Sequence, residues 1–341
     1  MLGKKKNSFT FVLTKDQAQS LLLLVDRRGY KKRAGVPYTV ASVEGPHCII
    51  NVYTSGKCMI QGRGAEEFVL YTMEPEILKY ASLGYEDVLD PTSGVPHVGS
   101  DESGKGDFFG PLVACAAYSN AELSEKMRAI GVKDCKQLSD GVCLVIAGRL
   151  ETLLGPARIK RVMVSPRRYN QLYAKMHSAN RILAWLHAQC IAELFAVQPD
   201  AKLAVADQFG DEKLIATALK SALKKRKLET RTYKLDQHHK AESDIAVAAA
   251  SVLARATFLR AISKMSASYD LEIPKGALNV RDAGSALVKK HGPQALLDCC
   301  KCHFRTTDQV LEACGFKREV LGPDGQAVSL HADGGAPFKQ S

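Results

Sequence analysis

The sequence predicts an α/β protein of two domains, a small α+β unit followed by a larger domain built on a mixed sheet with helices. Three observations predict it. The 341 residues exceed one ordinary domain and suit two, each able to bury a core of its own. Periodicity fails between Gly84 and Pro96, where Asp90-Pro91-Thr92-Ser93-Gly94 reads as a linker. Before that break the apolar runs are short and closely spaced, and after it strands alternate with longer helical patterns. The expected boundaries are 1–85 for the first domain, 86–95 for the linker and 96–320 for the second domain. A tail over 321–341, rich in Gly, Pro and Ser, is expected to be disordered.

In the first domain a strand over 9–13 is followed by Thr14-Lys15-Asp16-Gln17, which has the form of a capping box, so a helix runs from there to about residue 29. Arg27, Arg28, Lys31, Lys32 and Arg33 crowd its end. They suit the negative end of the helix dipole, and equally a phosphate backbone. Strands over 37–43, 48–53 and 57–61, separated by Gly45-Pro46 and Thr54-Ser55-Gly56, make an antiparallel meander. A second helix over 65–80 completes a sheet with one face covered and the other open to a partner. In the second domain the pattern gives strands over 95–100 and 112–118, a helix after Ser139 and a strand over 159–164. One long helix over 169–197, strands over 203–206 and near 230–235, and a helix over 243–264 follow.

Composition narrows the function classes. With 46% hydrophobic and 24% charged residues the chain is a soluble globular protein, and its net charge of +11 favours a polyanionic partner. The N-terminus has no export signal and no apolar run reaches about 18 residues, so a membrane span is not expected and a cytoplasmic location is. The ten cysteines are then expected as reduced thiols in the core. No feature calls for an obligate protein partner, and a monomer is expected.

The chemistry concentrates in Gly99-Ser100-Asp101-Glu102-Ser103-Gly104-Lys105-Gly106-Asp107-Phe108-Phe109-Gly110. Gly99 to Lys105 has the spacing of a phosphate-binding P-loop, but Gly106 stands where a Ser or Thr should hold magnesium. Asp101 and Glu102 would repel a triphosphate, and the residues that follow read as a strand rather than a helix. The other reading makes the carboxylates the point. Adjacent acids in a strand face opposite ways, so a backbone bent at Gly99 and Gly104 is expected to bring both to one site. Hard oxygen ligands of this kind suit Mg2+ or Mn2+. Asp207 ends the apolar run Leu203-Ala204-Val205-Ala206, and acids at the ends of neighbouring strands can converge. Glu242 or Asp244, at the start of the next helix, could complete the cluster or simply favour the helix dipole.

These residues resemble a known family. Asp101 to Leu112 closely resembles the signature of bacterial ribonuclease HIII, in which the type 2 ribonuclease H motif carries Lys between two glycines. Asp134-Cys135-Lys136-Gln137-Leu138-Ser139-Asp140, Tyr169-Asn170, Asn180 with Leu183-Ala184-Trp185-Leu186-His187, Asp207-Gln208-Phe209, Ala248 to Arg255 and Ile273 to Ala277 extend it. In the first domain Ser55-Gly56-Lys57 and Gln61 to Glu66 do the same. Cys135 departs from the pattern, which has Ser there. The resemblance covers about residues 8–315 and implies a ribonuclease H-like fold preceded by a domain like the TATA-binding protein that grips an RNA/DNA hybrid. It places the carboxylate quartet on Asp101, Glu102, Asp207 and Glu242, the first three as metal ligands. The implied reaction is hydrolysis of the RNA strand with two cations about 4 Å apart, giving 5′-phosphate and 3′-hydroxyl ends. Gly104, Lys105 and Gly106 match the tripeptide that reads the ribose 2′-hydroxyl and a phosphate.

Other signals carry less. Cys299-Cys300-Lys301-Cys302-His303 contains the haem-attachment spacing, yet it sits in a helical pattern without an export signal, so buried thiols are expected. His238-His239 reads as loop. Lys220, Lys224, Lys225, Arg226 and Lys227 suit a solvated helix end or a phosphate contact equally. Two rival functions remain at this stage, a hybrid-binding protein without catalysis and a ribonuclease HII-like enzyme that excises single ribonucleotides. The N-terminal domain and Lys105 favour the HIII type.

Overall fold

Alternating apolar residues fix the first sheet. Phe9, Ile50, Val52, Cys58 and Ile60 are buried along one face, while Thr10, Lys57 and Gln61 stay exposed, the half-buried pattern of an antiparallel meander. In the computed structural model the strands β1 (Ser8–Val12), β2 (Lys31–Lys32), β3 (Thr39–Glu44), β4 (Ile49–Tyr53) and β5 (Lys57–Gln61) lie in the order β1-β5-β4-β3-β2. The buried face is covered by α1 (Lys15–Arg27), through Leu21 and Val25, and by α2 (Ala65–Phe68) with its wider-turned continuation to Leu78. The capping box forms: Thr14 accepts from the Gln17 amide at 3.2 Å, and Gln17 Oε1 from the Thr14 amide at 3.0 Å. Arg28, Arg27, Lys31 and Lys32 are all exposed, and Arg28 is tied to Thr72 and Glu76.

The structure describes residues 7–78, 92, 94–207, 211–238, 241–276 and 278–329. The chain forms two compact units, Met1–Pro91 and Thr92–Ser341. Most of the expected linker and the end of the tail lie outside the described residues.

The second unit is a five-stranded sheet in the order β10-β9-β6-β7-β8. Its strands are β6 (His97–Ser103), β7 (Leu112–Ser119), β8 (Ile159–Val164), β9 (Leu203–Asp207) and β10 (Lys234–His238). Pairing is antiparallel from β6 through β8 and parallel from β6 through β10, the mixed sheet expected. Helices on both faces leave every residue of β7 buried. The helices in order are α3 (Ala121–Ala129), α4 (Asp140–Leu154), α5 (Pro166–Met176), α6 (Ala179–Val197), α7 (Glu212–Lys225), α8 (Ile245–Tyr269), α9 (Val280–His291), α10 (Ala295–Cys299), α11 (Thr306–Ala313) and α12 (Pro323–Gln326).

Three details differ from the sequence reading. The long helix is two, because His177 adopts the left-handed conformation at φ 50° and the Ser178 side chain then caps α6 by accepting from the Arg181 amide. The edge strand β10 begins near where it was expected to end, since Gln237 rather than an apolar run anchors it, donating to the Glu212 carbonyl at 2.9 Å. Past Gly322 the chain is ordered at least to Ser329, with the Gly325 carbonyl taken by Arg318 Nη1 at 2.8 Å and the Ser329 amide given to the His303 carbonyl at 2.9 Å. The helix α8 has the length and mean hydropathy of a membrane span, although Ser251, Arg255, Thr257 and Arg260 interrupt its apolar residues. Its apolar stretch is 78% buried in the core of this unit.

Candidate active site

The strand β6 carries the acidic pair and continues regularly past it. Its ladder with β7 runs Asp101 to Cys115, Glu102 to Ala114 and Ser103 to Val113. The ladder stays regular through this pair without the bend expected at Gly99 and Gly104, and the two carboxyls nevertheless remain close enough to interact. Gly99 marks one face: a Cβ there would lie 2.1 Å from the Val247 nitrogen, so α8 rests directly on the strand. Asp101, two residues on, shares that face. Ser100 marks the other, with its Oγ 2.7 Å from Nδ1 of His187 on α6. Glu102 shares that side, and its Oε2 lies 3.2 Å from His187 Nε2.

Parallel pairing brings in the third acid. Ser100 stands opposite Ala206, so Asp101 and Asp207 occupy the next positions on the neighbouring strands β6 and β9. On the far side of β9, Asp207 pairs with His238, which is the last residue of β10 and not in a loop as expected. His239 lies outside the described residues. Asp207 Oδ1 is buried with no hydrogen-bond partner. Such an atom is costly unless something positive reaches it.

Electrostatics separate the two members of the pair. Burial pushes the Asp101 carboxyl up to about 8, and the charge of Glu102 adds to the effect; the Ser251 hydroxyl, the Glu102 amide and Lys136 pull the other way. Burial would raise Glu102 too, but its hydrogen bond to His187, the charge of that ring and then Lys105 hold it below the usual carboxylate range. Among the described residues no three Asp, Glu, His or Cys side chains stand close enough together to grip an ion. Glu102 is turned toward His187, and Asp101 Oδ1 accepts from the Glu102 amide at 2.8 Å. The donor set nevertheless fits a hard divalent cation: oxygen ligands, one of them an orphan, and a carboxyl whose ionisation a nearby positive charge would favour.

Of the two candidates for the fourth acid, Asp244 is fully engaged. Its Oδ1 accepts from the Ala246 and Val247 amides at 2.8 and 2.9 Å, capping α8. Its Oδ2 meets the Thr92 hydroxyl and lies 2.9 Å from His97 Nε2. Burial would raise this acid, yet the His97 bond and charge, then Thr92, hold it below its ordinary value. Glu242 belongs to the short turn Ala241–Ser243 before α8, and its side chain lies outside the described residues.

The glycine-rich loop leaves β6 and leads into the strand β7, not a helix, which removes the P-loop reading. Gly104 has φ +92°, and a Cβ there would lie 2.2 Å from the Pro111 carbonyl oxygen; at Gly106 a Cβ would meet nothing within 4 Å. Glu102, Lys105, Asp107, Lys136, Asp140 and Arg255 line a cleft of about 420 Å³ around the loop. Asp107 Oδ1 accepts from the Gly276 amide at 2.7 Å. The loop's far end is held by Lys301, which is fully buried and donates to the Gly110 carbonyl at 2.7 Å and the Phe109 carbonyl at 3.3 Å. Burial lowers this lysine to about 8, with Asp107 opposing. Asn170 holds the segment in turn, donating to the Cys300 carbonyl at 2.9 Å and accepting from the Cys302 amide at 2.9 Å. The haem-like spacing is thus part of a clamp. Cys299, Cys300 and Cys302 are buried free thiols, and His303, lowered to about 3 by burial and then by Lys301 and Arg318, packs 4.4 Å from the Tyr173 ring.

Sequence reasoning missed His187 and Lys301 as contributors to the site. The clue to His187 was present: Ser100 and Glu102 are two apart on one strand face, and a histidine on a helix as apolar as α6 needs polar partners. Lys301 gave no local signal, because its partners are main-chain carbonyls far away in the chain.

Comparison with known proteins adds the following. A family model described as Ribonuclease HII matches residues 98–307, and a domain of unknown function, DUF3378, matches residues 10–79. Ribonuclease HIII of Protochlamydia amoebophila is 37% identical over 307 residues, covering 89% of this chain and 98% of the relative. Ribonuclease HIII of Chlamydia pneumoniae is 40% identical over 262 residues, covering 76% and 83%. Among solved structures, Bst-RNase HIII in complex with Mn2+ superposes with a TM-score of 0.59 at 25% identity, covering 90% of this chain and 99% of that one. The ribonuclease H2 from Pyrococcus horikoshii OT3 gives 0.53 at 25% identity, covering 65% and 99%.

Proposed function

This chain belongs to the ribonuclease HIII family and is an endoribonuclease acting on RNA/DNA hybrids, and from that premise we propose that Asp101, Glu102, Asp207 and Glu242 form its catalytic centre. The observation that carries the assignment is the pairing of β6 with β9, which sets Asp101 beside Asp207 with an unpartnered buried oxygen between strand ends. Asp101, Glu102 and Asp207 are the metal ligands in this reading, and Glu242 takes the fourth place because Asp244 is committed to capping α8. Bound Mg2+ or Mn2+, as a pair, would supply an activated water and stabilise the leaving 3′-oxygen, so that 5′-phosphate and 3′-hydroxyl ends result.

The protein's own part is placement and selection. Asp101 and Asp207 present oxygens from adjoining strand ends, and rigid pairing on both sides keeps them there. Gly104 and Gly106 let backbone approach the ribose, where the 2′-hydroxyl is the group that separates RNA from DNA. Lys105 is placed to contact a phosphate, and Lys136, Arg255 and Lys275 add positive charge around the same cleft. The first unit grips the hybrid through its open sheet face and the exposed Arg27, Lys31 and Lys32. The enzyme works as a cytoplasmic monomer in this proposal.

Cleavage assays with Mg2+ or Mn2+ on a continuous hybrid and on a duplex carrying a single ribonucleotide test the reading. Cutting of the continuous hybrid, with little at the single ribonucleotide, is expected. Efficient excision of the single ribonucleotide would make this an HII-like enzyme, and binding without cutting of either would make it a binding protein.

A further inference from the structure

We infer that His187 is a positioning residue that holds Glu102 ready to bind a cation. The inference rests on the assignment of Glu102 as a ligand. His187 itself is wholly buried, so it touches neither substrate nor solvent and acts through its neighbour. Its Nε2 lies 3.2 Å from Glu102 Oε2, and its Nδ1 lies 2.7 Å from Ser100 Oγ. The Ser100 hydroxyl, which also lies 2.9 Å from the Cys115 carbonyl, meets the ring at Nδ1, and Nε2 is left to face the ionised Glu102, a carboxylate that can only accept. The chain of contacts therefore starts on the main chain of β7, passes through a side chain of β6 and a ring on α6, and ends on the acid. A carboxylate free to rotate would lose freedom on gripping an ion. This one is already held, with Oε2 tied to the His187 ring while the residue lines the cleft.

The surroundings argue against a histidine kept for packing alone. Leu183, Leu186, Cys190 and Ile191 around it on α6 are all buried and apolar, and an imidazole placed among them needs two polar partners to be tolerated. It finds them in Ser100 and Glu102, two residues apart on one face of the strand that carries the acidic pair. Groups that orient a metal ligand are typically worth about 10–100-fold in metal affinity.

The test uses the full-length protein and Mn2+ alone, its binding followed by the loss of the free-ion paramagnetic resonance signal, with thermal unfolding as a control. His187→Ala is expected to weaken Mn2+ binding by about 10–100-fold, and His187→Gln, which keeps one donor, to recover part of the loss. Ser100→Ala should weaken binding in the same direction by less. The double variant Glu102→Gln with His187→Ala should be no weaker than Glu102→Gln alone. Mn2+ affinity unchanged in His187→Ala while Glu102→Gln loses it would overturn the inference and leave the ligand assignment standing. Unchanged affinity in Glu102→Gln would instead overturn the ligand assignment. If His187→Ala does not fold, Ser100→Ala and His187→Gln decide: affinity equal to the parent protein in both sinks the proposal.

Discussion

Asp101 and Asp244 are both aspartates set beside the first turns of α8, and their surroundings are opposite. Asp244 receives two amides, a hydroxyl and an imidazole, which outweigh its burial and keep it ionised. Asp101 sits against another carboxylate with too few donors, and its proton is held up to about 8. An acid that serves the fold is supplied with partners from the chain. The acid proposed for chemistry is left short of them, and the shortfall is what a cation can make good.

The sharpest way to break this contrast is to neutralise each acid. Asp101→Asn is expected to reduce cleavage of a continuous hybrid by about a thousandfold, as loss of a group that stabilises transition-state charge can do, while hybrid binding persists. Its unfolding temperature should stay the same or rise, since Asn keeps the uncharged form that burial already favours; near-normal turnover would refute the role given to Asp101. Asp244→Ala should do the reverse, costing about 3 kcal/mol or more of stability by stranding His97 and the end of α8, measured by denaturant unfolding. The folded fraction should still bind Mn2+. Gly104→Ala comes next: with φ at +92° and a main-chain oxygen in the way, about 1–3 kcal/mol of strain is expected, whereas Gly106→Ala has room and should leave stability alone. If Gly106→Ala nevertheless lowers cleavage, its methyl group obstructs the substrate; if it cuts as well as the parent, the close approach assigned there is wrong.

The smallest effect concerns pH. Asp101 has a folded value raised above its ordinary 3.8, so the folded protein holds the extra proton between that value and about 8. Stability from this group is therefore full below the ordinary value and is lost as pH rises through about 8 when no cation is present. A cation competes with the proton, so Mn2+ affinity should strengthen by about tenfold per pH unit at most as pH climbs from 6 toward 8, then level off. Affinity that falls over that range, measured by titration calorimetry, would contradict the assigned cause.

Much of this was legible in the sequence, and the exceptions have physical reasons. The strand before Asp207 announces itself because an apolar run ends in an acid, and the mixed sheet followed from the alternation of strands with longer helical patterns. The break at His177 was not visible, since only its left-handed backbone and the Ser178 cap divide an otherwise continuous apolar pattern. The bend expected at the acidic pair from its flanking glycines is absent, because the strand pairs regularly through it. Gly99 and Gly104 are small for another reason: α8 and the Pro111 carbonyl leave no space for a methyl group. The choice between Glu242 and Asp244 depended on which one a helix end would claim, a matter of hydrogen bonds that residue type alone does not decide.

That same helix has a consequence for how the enzyme can change. Near its start, α8 presses on Gly99 beside the acids; about 18–24 Å further along, Phe258 and Ile262 press on Gly104 and Gly110 in the loop assigned to reading the ribose. One rigid rod thus packs against both the strand of the proposed catalytic acids and the loop proposed to read the ribose. A substitution that slides or tilts it displaces both together, so the rate of hydrolysis and the preference for RNA should drift in concert among variants of its buried face, and tuning either one alone has to be done from the loops.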